Sequence, residues 1–240
     1  MNWSEEGVVL GVRRQGESNA VLELLTRGHG RHLGLVRGGR GRRLRPVLQT
    51  GNVVEAHWRA RLAEHLGTFT VEALQMNAAR LMDDPARLAG LMTLAAHARL
   101  LPEREPHSRL YDALRIVLDQ MVGDEIWPAL LVRWEMGLLE ELGFGLDLGS
   151  CAATGAKKDL IYVSPKSGKA VSAEAGAPYK AKLFALPAFV TGKGQGEPDG
   201  HEISDGFRMT GHFLQKHLYE PRGITMPDSR ASLLSHLAAD

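Results

Sequence analysis

Residues 31–60 read RHLGLVRGGRGRRLRPVLQTGNVVEAHWRA. Two strand-like segments, RHLGLVRG and NVVEAHWRA, flank a connection in which residues 37–46, RGGRGRRLRP, hold five arginines among three glycines, one leucine and one proline. VEAHWRA alternates apolar and polar residues with the period of two that a half-buried strand requires. Strands on both sides make the basic run a connection and not a free tail. Nor is it a mononucleotide loop. G-x-x-x-x-G-K-[ST] needs a lysine for the phosphates and a hydroxyl for magnesium, and the run ends in neither. The reading that fits is a flexible basic segment able to track a sugar-phosphate backbone.

Working outward, GVVLGVRR, NAVLELLT and GTFTVEAL complete a set of five short segments rich in Val, Leu and Thr over residues 5–72. Glycine, asparagine and serine punctuate them at roughly ten-residue intervals, the spacing of a small barrel or sandwich. Five strands in this length predict a small Greek-key barrel of the OB-fold type, with the arginine run between its third and fourth strands.

Beyond residue 77 the period becomes helical. In MDDPARLAGLMTLAAHARLL, Asp84 is the expected N-cap and Pro85 the first helical residue. A second helix starts at Ser108, with Leu110, Leu114, Val117, Leu118 and Met121 on one face. In EIWPALLVRWEMGLLEELGFG, Pro128 suits the first turn, Gly143 the stop, and Leu130, Trp134, Leu138 and Leu142 a single stripe. Residues 147–178 are turn-rich and predict one or two hairpins with little core of their own, and 191–201 predict a flexible loop. ISDGFRMTGHFLQKHLYE is a helix ended by Pro221, and a last short helix is capped by Asp228 or Ser229. The expected organisation is α+β: a barrel domain over 1–78, a helical bundle over 79–146 and 179–240, and an inserted element over 147–178.

The net charge of +1 conceals an asymmetry. Residues 1–80 hold twelve Arg and seven Glu with neither Lys nor Asp, a balance of +5 against −4 for the remainder. Seven arginines between Arg27 and Arg45 meet no acid. Against a solvated basic loop without a ligand, that clustering points to nucleic acid or another polyanion, since guanidinium groups fork onto phosphate and stack on bases. The single cysteine, Cys151, excludes an internal disulfide and suits a reducing cytoplasm. No apolar run is long enough to span a membrane, and the N-terminal stretch lacks the pattern of a signal peptide.

Signs of catalysis are missing. His212 and His217 lie five apart, unlike zinc ligands on one helix face, and they and His97 are expected at the surface or partly packed. Glu140 and Glu141 are adjacent and share no helix face. No nucleophile elbow, Cys–His pair or dinucleotide glycine pattern occurs. Trp127 and Trp134, two turns apart, are expected in the core. Trp58, in an alternating strand, suits either the core or a base-stacking platform, with His57 and Arg59 pointing the other way. Cys151 and Thr154, followed by Ser172 and Ala175, occupy the frame of two C-x-x-C pairs but supply one thiolate.

The order of a basic barrel, a helical bundle and an inserted turn-rich element resembles the RecO family of bacterial recombination mediators. ESNAVLELLTRGHGRHLGLVRGGRGRRLRPVLQTGNVVEAHWR resembles that family's barrel, RWEMGLLEELGFGLDLGSCAATG its helix leading into a zinc-binding knuckle, and YVSPKSGKAVS, LPAFV and SRASLL its later segments. The resemblance implies an OB-fold, a helical domain and a zinc-finger-like knuckle. It also implies DNA repair and recombination by binding single- and double-stranded DNA, annealing of complementary strands, and binding of the C-terminal tail of single-stranded DNA-binding protein. With RecR it implies help in loading RecA. Neither catalysis nor a cofactor is implied, and the location would be cytoplasmic and nucleoid-associated. The sequence departs from zinc-bearing members at Thr154, Ser172 and Ala175, so a metal-free knuckle is expected. Arg37, Arg40, Arg42, Arg43 and Arg45 are the expected phosphate contacts, with Arg31, Arg13 and Arg14 nearby. Arg133 beside Trp134 is the candidate for the acidic tail. The rival readings are a non-catalytic scaffold whose barrel binds protein or RNA and, more distantly, a metal-dependent nuclease.

Overall fold

The computed structural model describes residues 1–123, 126–192 and 196–238. The architecture is mixed α and β in two compact units, Met1–Gly123 and Asp124–Asp240. The three helices that follow the first five strands thus belong with those strands, whereas the expected barrel boundary lay at residue 78. Among the described residues no helix is long and apolar enough to cross a membrane.

In the first unit, strands β1 (Asn2–Gln15), β2 (Asn19–Thr26), β3 (Gly30–Val36), β4 (Val53–Arg59) and β5 (Thr68–Gln75) form a closed barrel in the order β1-β2-β3-β5-β4. Closure depends on the length of β1. Its first half pairs with β4 through Asn2↔Arg59 to Val8↔Val53, and its second half pairs with β2 through Gly7↔Thr26 to Gln15↔Asn19. A register shift between Val9 and Gly11 bends the strand between its two partners. One parallel contact, Leu35↔Thr68, completes the ring.

The inward residues Val9, Ala20, Leu22, Leu24, Val36, Val54, Ala56, Trp58, Phe69 and Val71 make the barrel core. NAVLELLT lacks alternation because β2 is buried along nearly its whole length; a strand covered on both faces reads as a continuous apolar run. The inner face holds Leu22 and Leu24. The outer face includes Glu23, whose buried carboxylate accepts hydrogen bonds from Arg31 Nη1 at 2.6 Å and Arg99 Nε at 3.0 Å. Arg99 follows α2 (Pro85–Ala98), so this pair of guanidinium groups ties the helix to the barrel.

The expected caps are present. The Asp84 side chain accepts from Arg87 N at 3.0 Å with Pro85 opening α2, preceded by a short α1 (Asn77–Leu81). Helix α3 (Ser108–Gly123) buries the five residues expected of it together with Tyr111. His97, expected near the surface, is fully buried on the inner side of α2.

The second unit opens with α4 (Trp127–Glu141), which Gly143 at φ +87° follows. Glu125, at the head of the segment read as this helix, lies outside the described residues. The buried face is broader than the expected stripe. Leu131, Val132, Trp134, Glu135, Leu138 and Leu139 are buried, whereas Leu130 and Leu142 are half-buried. A small sheet orders β7 (Ala170–Ser172), β6 (Leu160–Val163) and β8 (Phe184–Ala185) as β7-β6-β8, so the hairpin gains a third strand beyond residue 178. Of the loop expected over 191–201, residues 193–195 lie outside the described residues. The next long helix, here α6 (Gly200–Leu214), starts earlier than expected because Asp199 caps it, accepting from Glu202 N at 2.8 Å. The short turn of helix α5 (Ala173–Gly176) follows β7, and α7 (Asp228–Leu237) closes the chain. There Pro227 holds the position before the helix, and neither Asp228 nor Ser229 caps it. Instead, Arg230 anchors α7. It donates to both Glu135 carboxylate oxygens at 2.9 and 3.0 Å and to the Phe207 carbonyl at 2.7 Å, all buried.

Candidate nucleic-acid interface

The arginine connection is coiled, not extended. Gly41 N donates to Gly38 O, Leu44 N and Arg45 N to Gly41 O, and Leu48 N to Leu44 O, at 2.9 to 3.1 Å. This geometry turns Leu44, Val47 and Leu48 inward against the barrel core and leaves Arg37, Arg40, Arg42, Arg43 and Arg45 exposed. Gly39 is needed at its position because a Cβ there would stand 2.9 Å from the Ala20 Cβ. The expectation of a flexible segment is therefore corrected: Leu44 among the arginines and Val47 and Leu48 after them act as a plug, and their burial fixes the loop.

The exposed arginines are not equivalent. Arg37 and Arg43 line an open cleft of about 770 Å³ together with Arg59 and Arg61, over a floor that includes Val36, Leu44 and Thr68–Val71. Among the described residues no carboxylate lines this cleft. Four guanidinium groups on one concavity create a positive potential suited to a polyanion. Arg59 and Arg61 were missing from the expected set. Their signal was present in HWRAR, where Arg59 ends β4 and Arg61 follows it two residues on in the outgoing connection.

Arg40 is held elsewhere. Its Nη1 donates to the carbonyls of Gly16 and Glu17 at 3.0 and 2.6 Å, and its backbone N donates to Ser18 O at 3.1 Å. With Gly38 N donating to Asn19 Oδ1 at 3.1 Å, the connection is stapled to the β1–β2 turn. Arg13 and Arg14 lie exposed just before that turn, and Arg42 and Arg45 face solvent outside the cleft. Arg31 does not belong to the surface set. Its Nε donates to Leu101 O at 2.7 Å and its Nη1 to Glu23, so its charge is spent inside the first unit.

Trp58 resolves to the core. It is 3% exposed, its Nε1 donates to Leu66 O at 3.1 Å, and it cannot meet a base. Trp3 stacks on it at 5.9 Å and His32 meets it edge-on at 4.7 Å, while Phe69 lies edge-on to Trp3 and His32 at 5.7 and 6.1 Å. The His32 ring is buried, with neither nitrogen partnered among the described residues. Burial first, then the Arg104 and His29 charges, lower its pKa to about 4.

In the second unit Arg133 is exposed on α4 and Trp134 is buried at 2%. Consecutive helical residues diverge by about 100°, so the two cannot share a docking surface; Trp134 lies in the core, as its spacing from Trp127 predicts, and its pairing with Arg133 is corrected. Cys151 and Ser172 do come together. The thiol accepts from Ser172 N at 3.3 Å and Ser172 Oγ at 3.4 Å. Hydrogen bonds from Ser172 and Thr154 bring its pKa down to about 6. Thr154 Oγ1 also accepts from Ala156 N at 3.3 Å, and Ala175 offers no donor atom at all. One sulfur and two hydroxyls do not fit the four-ligand demand of structural zinc. Among the described residues no group of three or more His, Cys, Asp or Glu is placed to hold a metal ion. His212 and His217 are packed: His212 Nε2 stands 3.1 Å from Pro165 O, and His217 stacks on Phe144 at 4.8 Å.

Two family models divide the chain after the fifth strand, earlier than the boundary between the two compact units. The family model described as "Recombination protein O N terminal" matches residues 1–77, and "Recombination protein O C terminal" matches residues 82–223. The chain is 56% identical to the DNA repair protein RecO of Mesorhizobium japonicum, covering 99% of this chain and 94% of that one. It is 54% identical to the protein of the same name from Brucella abortus, over 98% and 95% of the two chains. With that of Methylorubrum populi it shares 51% identity over 98% of each. Both halves of the chain and nearly its whole length are accounted for, and the chain belongs to the RecO family.

Proposed function

We propose that this protein acts in DNA repair and recombination as a non-catalytic mediator. Its barrel, read as an OB-fold, grips the backbones of single- and double-stranded DNA. The observation that carries this reading is the cleft lined by Arg37, Arg43, Arg59 and Arg61 without a carboxylate. Arginines that meet phosphates and not base edges neutralise a strand without reading its sequence. Two complementary polyanions can then approach and pair, which is the chemistry of annealing. Arg42, Arg45, Arg13 and Arg14 extend the positive surface beyond the cleft.

The family membership supports the partners. RecR, the acidic C-terminal tail of single-stranded DNA-binding protein and, through them, RecA are the proposed associates, with action in the cytoplasm at the nucleoid. For the acidic tail, exposed Arg133 on α4 is the proposed cation, without Trp134. The element around Cys151 is read as a degenerate zinc knuckle. It retains the turn in which Gly155 N donates to Cys151 O at 2.9 Å and Cys151 N to Ala156 O at 2.8 Å. Packing and turns would hold it in place of metal.

The test is DNA binding against salt for the variant with Arg37, Arg43, Arg59 and Arg61 all changed to alanine. Each lost phosphate contact lowers the slope of log affinity against log salt by about 0.7 on single strands, so a fall approaching 3 is expected. An unchanged slope removes the proposal. Strand-annealing rates at low salt provide the functional counterpart: the four-fold variant should lose acceleration while retaining its fold.

A further inference from the structure

The connection between β4 and β5, residues 60–67 (ARLAEHLG), carries two exposed leucines. Its two ends line the cleft, Arg59, Ala60 and Arg61 before the tip and Thr68–Val71 after it, so the tip is the stretch of chain that joins these lining residues. Leu62 and Leu66 on that tip are 47% and 42% exposed.

The tip is braced from several directions. Arg104 Nη1 donates to Ala63 O at 2.6 Å and Nη2 to His65 O at 3.0 Å. Trp58 Nε1 donates to Leu66 O at 3.1 Å. Leu35 N donates to Gly67 O at 3.0 Å and His65 N to Leu62 O at 3.3 Å. Arg104 reaches the tip from a backbone at φ +64°, a left-handed conformation disfavoured for a residue with a Cβ. Its own N is compensated by Arg31 O at 2.7 Å. A loop that only joined two strands would need no strained arginine to hold two of its carbonyls. Strain of this kind concentrates where a surface must be held in shape.

We propose that Leu62 and Leu66 contact the unpaired bases of a single strand whose phosphates lie along Arg37, Arg43, Arg59 and Arg61, with Arg104 as the positioning residue. This rests on the reading of the cleft as a DNA-backbone site. The chemistry divides cleanly. Guanidinium groups take the phosphates. The faces of unpaired bases are apolar and accessible, and an aliphatic surface covers them without hydrogen bonds and so without sequence preference. In a duplex those faces are stacked inside and the leucines have nothing to cover. The braced tip therefore confers a preference for single strands that the arginines alone, which see phosphates in either form, do not provide.

The experiment compares the full-length protein with its Leu62→Ala/Leu66→Ala variant, by fluorescence anisotropy on an oligothymidylate and on a blunt duplex of equal length. Loss of the buried apolar surface predicts about tenfold weaker single-strand binding, with duplex affinity and both salt slopes unchanged. Unchanged single-strand affinity, or an equal loss on both DNAs, overturns the proposal. Duplex binding doubles as the control for folding. Arg104→Lys keeps the charge and removes the fork, so part of the single-strand preference should disappear at constant slope. A fall in slope would make Arg104 a phosphate contact and sink its positioning role. If the four-arginine variant leaves the slope unchanged, the cleft reading fails. If it lowers the slope and the leucine pair leaves the single-to-double-strand ratio intact, only the present inference fails.

Discussion

Arg40 Nη1 donates at 2.6 Å to the carbonyl of Glu17, across the turn between the first two strands. This bond separates Arg40 from Arg43, three residues away in sequence. Arg43 lines the cleft and Arg40 does not. Arg43→Ala should lower the single-strand salt slope by about 0.7, the value for one released phosphate contact. Arg40→Ala should lower it by less than half as much, because its guanidinium is already committed to backbone oxygens. Titrations at several salt concentrations decide it, and equal slopes for the two variants would contradict the geometry.

Arg31 is predicted to matter for stability and not for DNA. Its side chain is 17% exposed and its partner Glu23 only 9%. Removing one member of a largely buried ion pair leaves a carboxylate poorly compensated, which costs on the order of 3 kcal/mol. Arg99 still faces Glu23 at 3.0 Å and moderates the loss. Arg31→Ala should therefore shift the urea midpoint markedly downward, while the salt slope of DNA binding stays at the parent value. Arg230→Ala should behave likewise in the second unit, since Glu135 is fully buried and Arg230 grips both of its oxygens. A midpoint within error of the parent for either variant would contradict the packing described.

How far the sequence disclosed these features depends on how local their causes are. The barrel strands and the α2 cap were legible because Val- and Leu-rich runs bounded by turn residues, and an Asp–Pro pair, act within a few residues. The arginine run was legible as a connection, but its conformation was not. Its order comes from Leu44 and Leu48 entering a core assembled from five other segments, and from carbonyls at Gly16 and Glu17. Arg31 was misread for the same reason: Glu23 and Leu101 lie 8 and 70 residues away. The pairing of Trp134 with Arg133 failed more simply, because adjacency in sequence is divergence on a helix. Arg59 and Arg61 could have been found, since their spacing alone places them together. The length of β1 escaped notice because its first residues, NWSEE, are polar apart from Trp3 and show no apolar alternation.

The element around Cys151 should be indifferent to chelators. With one thiol, bonded by Ser172, and no donor at Ala175, the melting temperature of the protein should be the same with and without EDTA. Metal analysis of protein purified without added zinc should find far less than one equivalent. Stoichiometric zinc, or a chelator-sensitive melt, would contradict the hydrogen-bonded reading of this turn.

His32 gives the first unit a defined response to acid. The ring lies among Trp3, Trp58 and Phe69 with both nitrogens unpartnered, and Arg104 and His29 are the charges that face it. Its pKa falls to about 4 in the folded state, from 6.5 for a free imidazole. Between those values the unfolded chain binds a proton that the folded chain refuses, so stability must decline as pH drops from about 6.5 towards 4. At one pKa unit to 1.36 kcal/mol, the decline attributable to this residue is bounded at about 3 kcal/mol. His32→Phe preserves a flat ring among the aromatics and removes the titration. Urea unfolding at neutral pH and near pH 5 should show a smaller difference for this variant than for the parent. Equal differences would assign the acid sensitivity to other groups and show that the His32 proton is not excluded by the aromatic end of the barrel.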